Sequence, residues 1–249
     1  MSDPVLEVIE LTKSFGAVAA SDGLTFSVKR GEIHALIGPN GAGKTTAIGQ
    51  LSGEIRPDSG RVRFDGQDVT HMPTYRRAQL GLQRSYQITS LFPDFTAEDN
   101  VAMAIQAQQG HSFQFWACAK RDATLRQPAR LALKRVGLDD KANVKVTELA
   151  HGEQRQLELA MVLATGPTML LLDEPMAGMG QSESLAMMEI LRPLKGEVGI
   201  LLVEHDMDVV FALADVVSVL VKGTVLMTGT PEQVRANAEV RRAYLGDEG

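Results

Sequence analysis

Two stretches of this 249-residue chain carry residue types that do chemistry together. In "GPNGAGKTT", the run Gly38, Pro39, Asn40, Gly41, Ala42, Gly43, Lys44, Thr45, Thr46 spaces out as G-x-x-x-x-G-K-T. Three glycines around one lysine leave bare backbone, and the chemistry that suits such a loop is capture of phosphate oxygens by N–H groups aimed inward. The first expectation is a nucleotide site. In "MLLLDEP", four apolar residues bury a strand and deliver Asp173 and Glu174 together at its exposed end. An acid there holds Mg²⁺, usually through water, while its neighbour polarises an attacking water. A strand that merely stops at acids is common for one motif alone and improbable for both in this order. "LLVEHD" adds His205 at the end of another apolar run, although a strand-end histidine by itself is more often structural than catalytic.

Such residues need elements to position them. "GEIHALIG" reads as a strand running directly into the glycine loop, and "KTTAIGQLSG" reads as the helix that follows. Strand, loop and helix in that order put a helix N-terminus and its partial positive charge under the phosphates. "TMLLLDE" and "VGILLVEH" are compact apolar runs ending in acids or a histidine, as buried parallel strands are when their C-terminal ends face a site. The β-branched runs "VLEVIEL" and "LTFSV", with turns expected at Asp22-Gly23 and Asp65-Gly66, predict a small antiparallel sheet near the N-terminus. From about Ile88 to Thr165 helical stretches dominate, among them "AEDNVAMAIQAQ", "QPARLALKRVG" and "EQRQLELAMVLA", the last with Leu157, Ala160, Met161 and Ala164 on one face. The expected division is 1–87 for the first part of an α/β core, 88–165 for an inserted helical subdomain and 166–249 for the rest of the core.

Composition narrows the function classes. At 44% hydrophobic and 22% charged the chain is an ordinary soluble globular one. The balance of 25 Lys and Arg against 31 Asp and Glu, net −6, gives no broad basic field, so no nucleic-acid partner is expected. Cys118 is the one cysteine, read as a small buried residue in a reducing compartment. "MSDPVLEVIELTK" has acids where a signal peptide would place basic and apolar regions, and "MDVVFALADVVSVLV" is broken by Asp208 and Asp215 and too short to span a bilayer. Any membrane role is expected through another chain. His34 reads as a satisfied strand histidine, His71 and His111 lack partners at metal-ligand spacing, and the methionines of "LAMMEI" read as helix packing. Phe113, Phe115 and Trp116 cluster in "HSFQFWACAK", where core packing outweighs a partner surface.

Taken together, these residues resemble one family closely, the ATP-binding subunits of ABC transporters, and the resemblance covers nearly the whole chain. Besides the Walker A loop at 38 to 45 and the Walker B strand at 169 to 174, "SYQ" supplies a Q-loop glutamine, "LAHGEQ" stands where the signature LSGGQ belongs, and His205 matches the switch histidine. The resemblance implies an α/β P-loop NTPase of the ABC ATPase type, with an N-terminal antiparallel β subdomain and an inserted helical subdomain, that binds ATP with Mg²⁺ and hydrolyses it. By the same resemblance Phe15 stacks on adenine, a contact worth roughly 1 to 3 kcal/mol. Lys44 holds the β- and γ-phosphates, while Thr45, Gln87 and Asp173 serve the metal. Glu174 is the general base, and His205 contacts the γ-phosphate. Gln87, rather than the nearby Gln83, is the family glutamine and relays the state of the site to the membrane partner.

The signature residues Ala150, His151, Gly152, Glu153 and Gln154 close, in this family, over ATP held by a second subunit, either an identical copy or a paralogue. Other partners implied are transmembrane permease subunits and, indirectly, a solute-binding protein, with the chain peripheral on the cytoplasmic face of the inner membrane. Two departures stand out. Ala150 and His151 replace the usual serine and glycine, and "AGMG" ends in Gly180 where the family carries an aspartate. "RSYQITSLFPDFTAEDNV", "EPMAGM" and "RRAYLG" look like the branched-chain amino acid and urea importer ATPases. The rivals are a lipopolysaccharide-export ATPase, which shares the "YLG" ending, a soluble ABC protein of ribosomes or DNA, and a module that closes but hydrolyses poorly.

Overall fold

In the computed structural model, residues 3–85, 91–109 and 122–245 are described. The chain divides into two compact units, one of Met1–Arg84, Thr168–Glu174 and Leu191–Gly249, the other of Ser85–Pro167 and Pro175–Ile190.

The first unit holds two sheets. β1 (Pro4–Phe15), β2 (Val18–Lys29), β4 (Ser59–Phe64) and β5 (Gln67–Asp68) pair antiparallel in the order β2-β1-β4-β5. β10 (Thr224–Gly229), β9 (Val216–Val221), β3 (Ile33–Ile37), β8 (Gly199–Val203), β7 (Met169–Asp173) and β6 (Leu82–Ser85) form the second, in that order. Its centre, β9-β3-β8-β7, is parallel, and β10 closes one edge antiparallel. Every residue of β3, β7 and β8 is buried, which is why these strands are near-continuous apolar runs instead of alternating ones, with the buried His34 in β3 and Asp173 at the end of β7.

Helix α1 (Lys44–Ser52) lies in the core shared by the two sheets. Leu6, Val8, Leu24 and Val62 of the first sheet cluster with Leu36, Leu171 and Leu201 of the second and with Ile48 and Leu51 of α1. The other face of the second sheet packs Ala35, Ile37, Val217 and Val219 against Val210 of α7 (Met207–Leu213), Val234 of α8 (Pro231–Ala236) and Val240 of α9 (Ala238–Leu245). α2 (Thr74–Gln79) leads into β6.

One expected turn is elsewhere. Asp22-Gly23 sits inside β2: Leu11 pairs with Leu24 but Lys13 with Ser21, so β2 carries one extra residue, a bulge, and Gly23 takes φ 67. The hairpin turns instead at Gly16-Ala17, between the paired Phe15 and Val18. Asp65-Gly66 does turn, between the paired Phe64 and Gln67, with φ of 48 and 78.

The second unit is helical. α3 (Ala97–Gln109), α4 (Ala123–Arg135) and α5 (His151–Ala164) pack on one another, and α6 (Gln181–Leu191) follows in the chain. Asp99 and Arg126 pair at 2.6 Å across α3 and α4, and Glu98 faces Arg130 at 3.1 Å. On α5 the buried side chains are Leu157, Leu159, Ala160 and Leu163, with Gly152 buried in the first turn, whereas Met161 and Ala164 are half-buried, so the apolar stripe lies slightly round the helix from the expected one. Met187 and Met188 are buried on α6, as packing residues.

Candidate nucleotide-binding site

Register across the central strands builds the site. Val203 of β8 pairs with Leu36 of β3 on one side and with Asp173 of β7 on the other. Parallel strands about 4.8 Å apart therefore deliver the loop at Gly38, the acids at Asp173 and Glu174, and Glu204-His205 along one sheet edge within about 10 Å. This edge is the carboxyl end of the strands, where open α/β sheets bind ligands.

The three glycines of the loop answer two different demands. A Cβ on Gly38 would lie 2.2 Å from the Leu220 carbonyl oxygen, and one on Gly43 would lie 2.0 Å from that of Ala20, so both admit a neighbouring strand's backbone. Gly41 meets nothing within 4 Å but takes φ 78, and Gly43, the residue capping α1, takes φ 104. These are left-handed conformations that side chains resist. Lys44 begins α1, only 8% exposed, and its ammonium donates to the carbonyls of Gly38 at 2.6 Å and Pro39 at 3.1 Å. Burial lowers its pKa, against the opposing fields of Glu174 and Asp173. Thr45 is exposed and Thr46 half-buried on the first turn of α1. On its outer side the loop shares a cavity of about 650 Å³ with Lys222 and with Glu239 and Arg242 of α9.

Asp173 is 4% exposed and accepts from the Arg84 guanidinium at 2.9 Å, while Arg84 also donates to Glu54 at 2.7 Å. Burial raises the pKa of Asp173, with Arg84 opposing. Glu174 takes φ 49, a left-handed conformation uncommon for a side-chain-bearing residue, and its N–H donates to Val203 O at 2.9 Å. Its Oε1 lies 3.8 Å from His205 Nδ1. His205 is well exposed, its N–H held by the buried Glu204 at 3.2 Å, and Asp206 then caps α7. Phe15 ends β1 with 53% of its surface exposed and Lys13 Nζ 5.5 Å from its ring, so it is a surface platform and not a core aromatic. His34, by contrast, is a buried strand histidine bonded to Ser218 Oγ at 2.8 Å.

In the helical unit Ala150 precedes α5, and its N–H donates to Glu153 at 3.0 Å. Alanine has no oxygen to return the bond, so this half of a capping box stands alone. Lys141 pairs with Glu153 and holds its pKa down. His151 is exposed, Gln154 bonds the carbonyls of Val146 and Leu149 at 3.2 Å, and a Cβ on Gly152 would lie 2.6 Å from Glu183 Oε1. The same Glu183 accepts from Gly180 N–H at 2.9 Å.

Gln87, His111, Phe113, Phe115, Trp116 and Cys118 lie outside the described residues. Gln83 is on β6, its amide donating to Ala78 O at 3.0 Å. Sequence reading passed over Arg84, Glu54 and Glu183. Arg84 stands inside the quoted "RSYQ", but nothing in its spacing says that it reaches Asp173, 89 residues away.

No described helix is long and apolar enough to cross a membrane, and among the described residues no group of three His, Cys, Asp or Glu could hold a metal. The buried Asp173 carboxylate and the hydroxyls of Thr45 and Thr46 on the first turn of α1 offer oxygen ligands only, and few of them, which fits Mg²⁺ arriving with a phosphate chain.

The ABC transporter family model matches residues 21–177, and one described as branched-chain amino acid ATP-binding cassette transporter matches 224–249. The high-affinity branched-chain amino acid transport ATP-binding protein BraF of Pseudomonas aeruginosa is 38% identical over 99% of this chain and 100% of its own. LivG of Escherichia coli, named for the same transport, is 37% identical with the same coverage. A crystal structure of the ADP conformation of an ABC transporter's ATP-binding cassette superposes with TM-score 0.86 at 25% identity, over 99% of this chain and 100% of that one. The chain thus belongs to the ABC transporter family, as one of its ATP-binding, ATP-hydrolysing subunits.

Proposed function

We propose that this subunit powers the import of branched-chain amino acids or a related small solute. The observation that carries the chemistry is the shared row of Leu36, Val203 and Asp173, which sets phosphate loop, carboxylates and histidine on one edge. The solute class rests on the two relatives' names and on the C-terminal family match.

In this reading the loop N–H groups and the α1 N-terminus bind the phosphate chain, and Lys44 exchanges its two loop carbonyls for β- and γ-oxygens. Mg²⁺, when bound, neutralises charge developing on the γ-phosphate. Thr45, Asp173 and Gln87 hold it. Glu174 takes the proton of the attacking water, and His205, 3.8 Å away, contacts the γ-phosphate. Phe15 stacks on adenine. Residues 150–154 of a second ATP-binding subunit close over the nucleotide, permease subunits dock on the membrane side, and a solute-binding protein delivers cargo to them, with the chain on the cytoplasmic face.

Two substitutions test the assignment. Glu174→Gln should cut turnover by about 10²- to 10⁴-fold with MgATP affinity kept, because only the base is lost. Lys44→Ala should instead abolish binding. Turnover unchanged in the first, or affinity unchanged in the second, overturns that residue's role.

A further inference from the structure

We propose that Arg84 is a positioning residue for the metal-binding carboxylate, a fixed cation that holds Asp173 and sets how strongly ATP binding depends on Mg²⁺. The inference rests on the ATPase reading above. Its ground is a juxtaposition: Arg84 leaves β6 and reaches Asp173 Oδ2 at 2.9 Å through Nη2 and Glu54 Oε2 at 2.7 Å through Nη1, with Ser52 Oγ at 3.5 Å. Ser52 is the last residue of α1, and Glu54 follows it by two. One guanidinium therefore ties the end of the acid-bearing strand to the far end of the helix that starts at Lys44.

The Arg84 side chain is 10% exposed and that of Asp173 3%, so water screens their attraction little, whereas Glu54 at 36% is the outer and weaker anchor. Without Arg84, Asp173 and Glu174 would face an incoming triphosphate with Lys44 as their compensating cation. With it, metal-free ATP meets a partly neutralised edge. Mg²⁺ bound at Asp173 supplies the same kind of compensation, so residue and metal are partly redundant toward nucleotide and in competition toward Asp173.

Opposite signs follow for two substitutions. Arg84→Met should weaken ATP binding in EDTA far more than binding of MgATP, raising the ratio of the two affinities by roughly tenfold, the low end of what an adjacent charge does to an ionic equilibrium. Arg84→Lys should restore most of the metal-free affinity. Glu54→Gln removes the carboxylate that competes for the guanidinium, tightens the Arg84–Asp173 pair and should lower the ratio below the parent's. The measurement is titration of a fluorescent ATP analogue into the purified full chain with Mg²⁺ and with EDTA, with thermal unfolding confirming that each variant is folded. A purely structural role would lower both affinities in parallel and leave the ratio fixed. An unchanged ratio in Arg84→Met, or a ratio moving the same way in Glu54→Gln, overturns the proposal while the parent's binding keeps the ATPase reading. A parent that binds no ATP overturns both.

Discussion

Ala150 shows how one missing atom carries two separable consequences. It stands where the helix begins, its N–H is held by Glu153, and it returns nothing. A serine there would complete the box by accepting from the first turn of α5, worth about 0.5 to 2 kcal/mol in the folded chain. We predict that Ala150→Ser raises the melting midpoint by on the order of 2 to 6 °C in nucleotide-free protein. Calorimetry without ATP checks it, and a midpoint that rises only with ATP present would place the whole effect at a phosphate instead. At this scale spacing placed the loop and helix start: Gly43 caps α1 and Lys44 begins it, held by the loop carbonyls. The reason for each glycine was only partly legible. Phosphate capture accounts for a bare loop, but that Gly38 and Gly43 also make room for the carbonyls of Leu220 and Ala20 depends on strands far away in the chain.

Among elements, α1 has the most to hold. Its N-terminus serves the phosphate loop, and its C-terminal carbonyls are held by Arg77, 1% exposed, which donates to Gln50 O at 2.8 Å, Leu51 O at 2.7 Å, Met72 O at 2.9 Å and Thr70 O at 3.0 Å. A cation suits the negative end of a helix. Burial pushes its pKa down to about 10, with Asp68 opposing, so the group stays charged at neutral pH and the fork of four bonds offsets the cost of burying it. Arg77→Lys keeps the charge and loses the fork, leaving buried carbonyls unpaired. We expect it to cost about 3 kcal/mol and lower the midpoint by on the order of 10 °C. Chemical denaturation measures this, and a loss under a tenth of that size would show the charge alone to suffice. Sequence patterns predicted the strands because β3, β7 and β8 are compact, mostly apolar runs, broken only by His34 and by Asp173 at the end of β7. They misplaced the first hairpin because Asp-Gly suits a bulge as well as a turn, and only pairing with β1 decides which. Arg77, in an unremarkable "YRRAQ", gave no signal at all.

At the scale of the whole molecule, the proposed function assigns the two units complementary halves of one reaction. The sheet edge with Lys44, Asp173 and Glu174 belongs to the first, and the α5 N-terminus with Gly152 to the second. In the proposed pairing, one copy's α5 meets the nucleotide held by the other, and a helix N-terminus facing a γ-phosphate attracts it through free N–H groups and the helix dipole. Glu183 stands close to Gly152 and Glu153 bonds Ala150 N–H, so this end of the helix already carries two carboxylates. A carboxylate at position 152 would crowd Glu183 and set a further negative charge at this helix end. We therefore predict that Glu174→Gln alone elutes as a monomer without nucleotide and as a dimer with MgATP, and that adding Gly152→Glu abolishes the dimer while each monomer still binds MgATP. Light scattering gives the first and nucleotide titration the second. Because each copy carries net −6, the parent dimer should also form more readily at 0.15 M salt than at 0.01 M, as screening shortens from about 30 Å to about 8 Å. A dimer that survives Gly152→Glu would move the pairing surface away from α5, whereas loss of both dimer and nucleotide binding would mean that the substitution had disturbed the fold of the subunit that carries it.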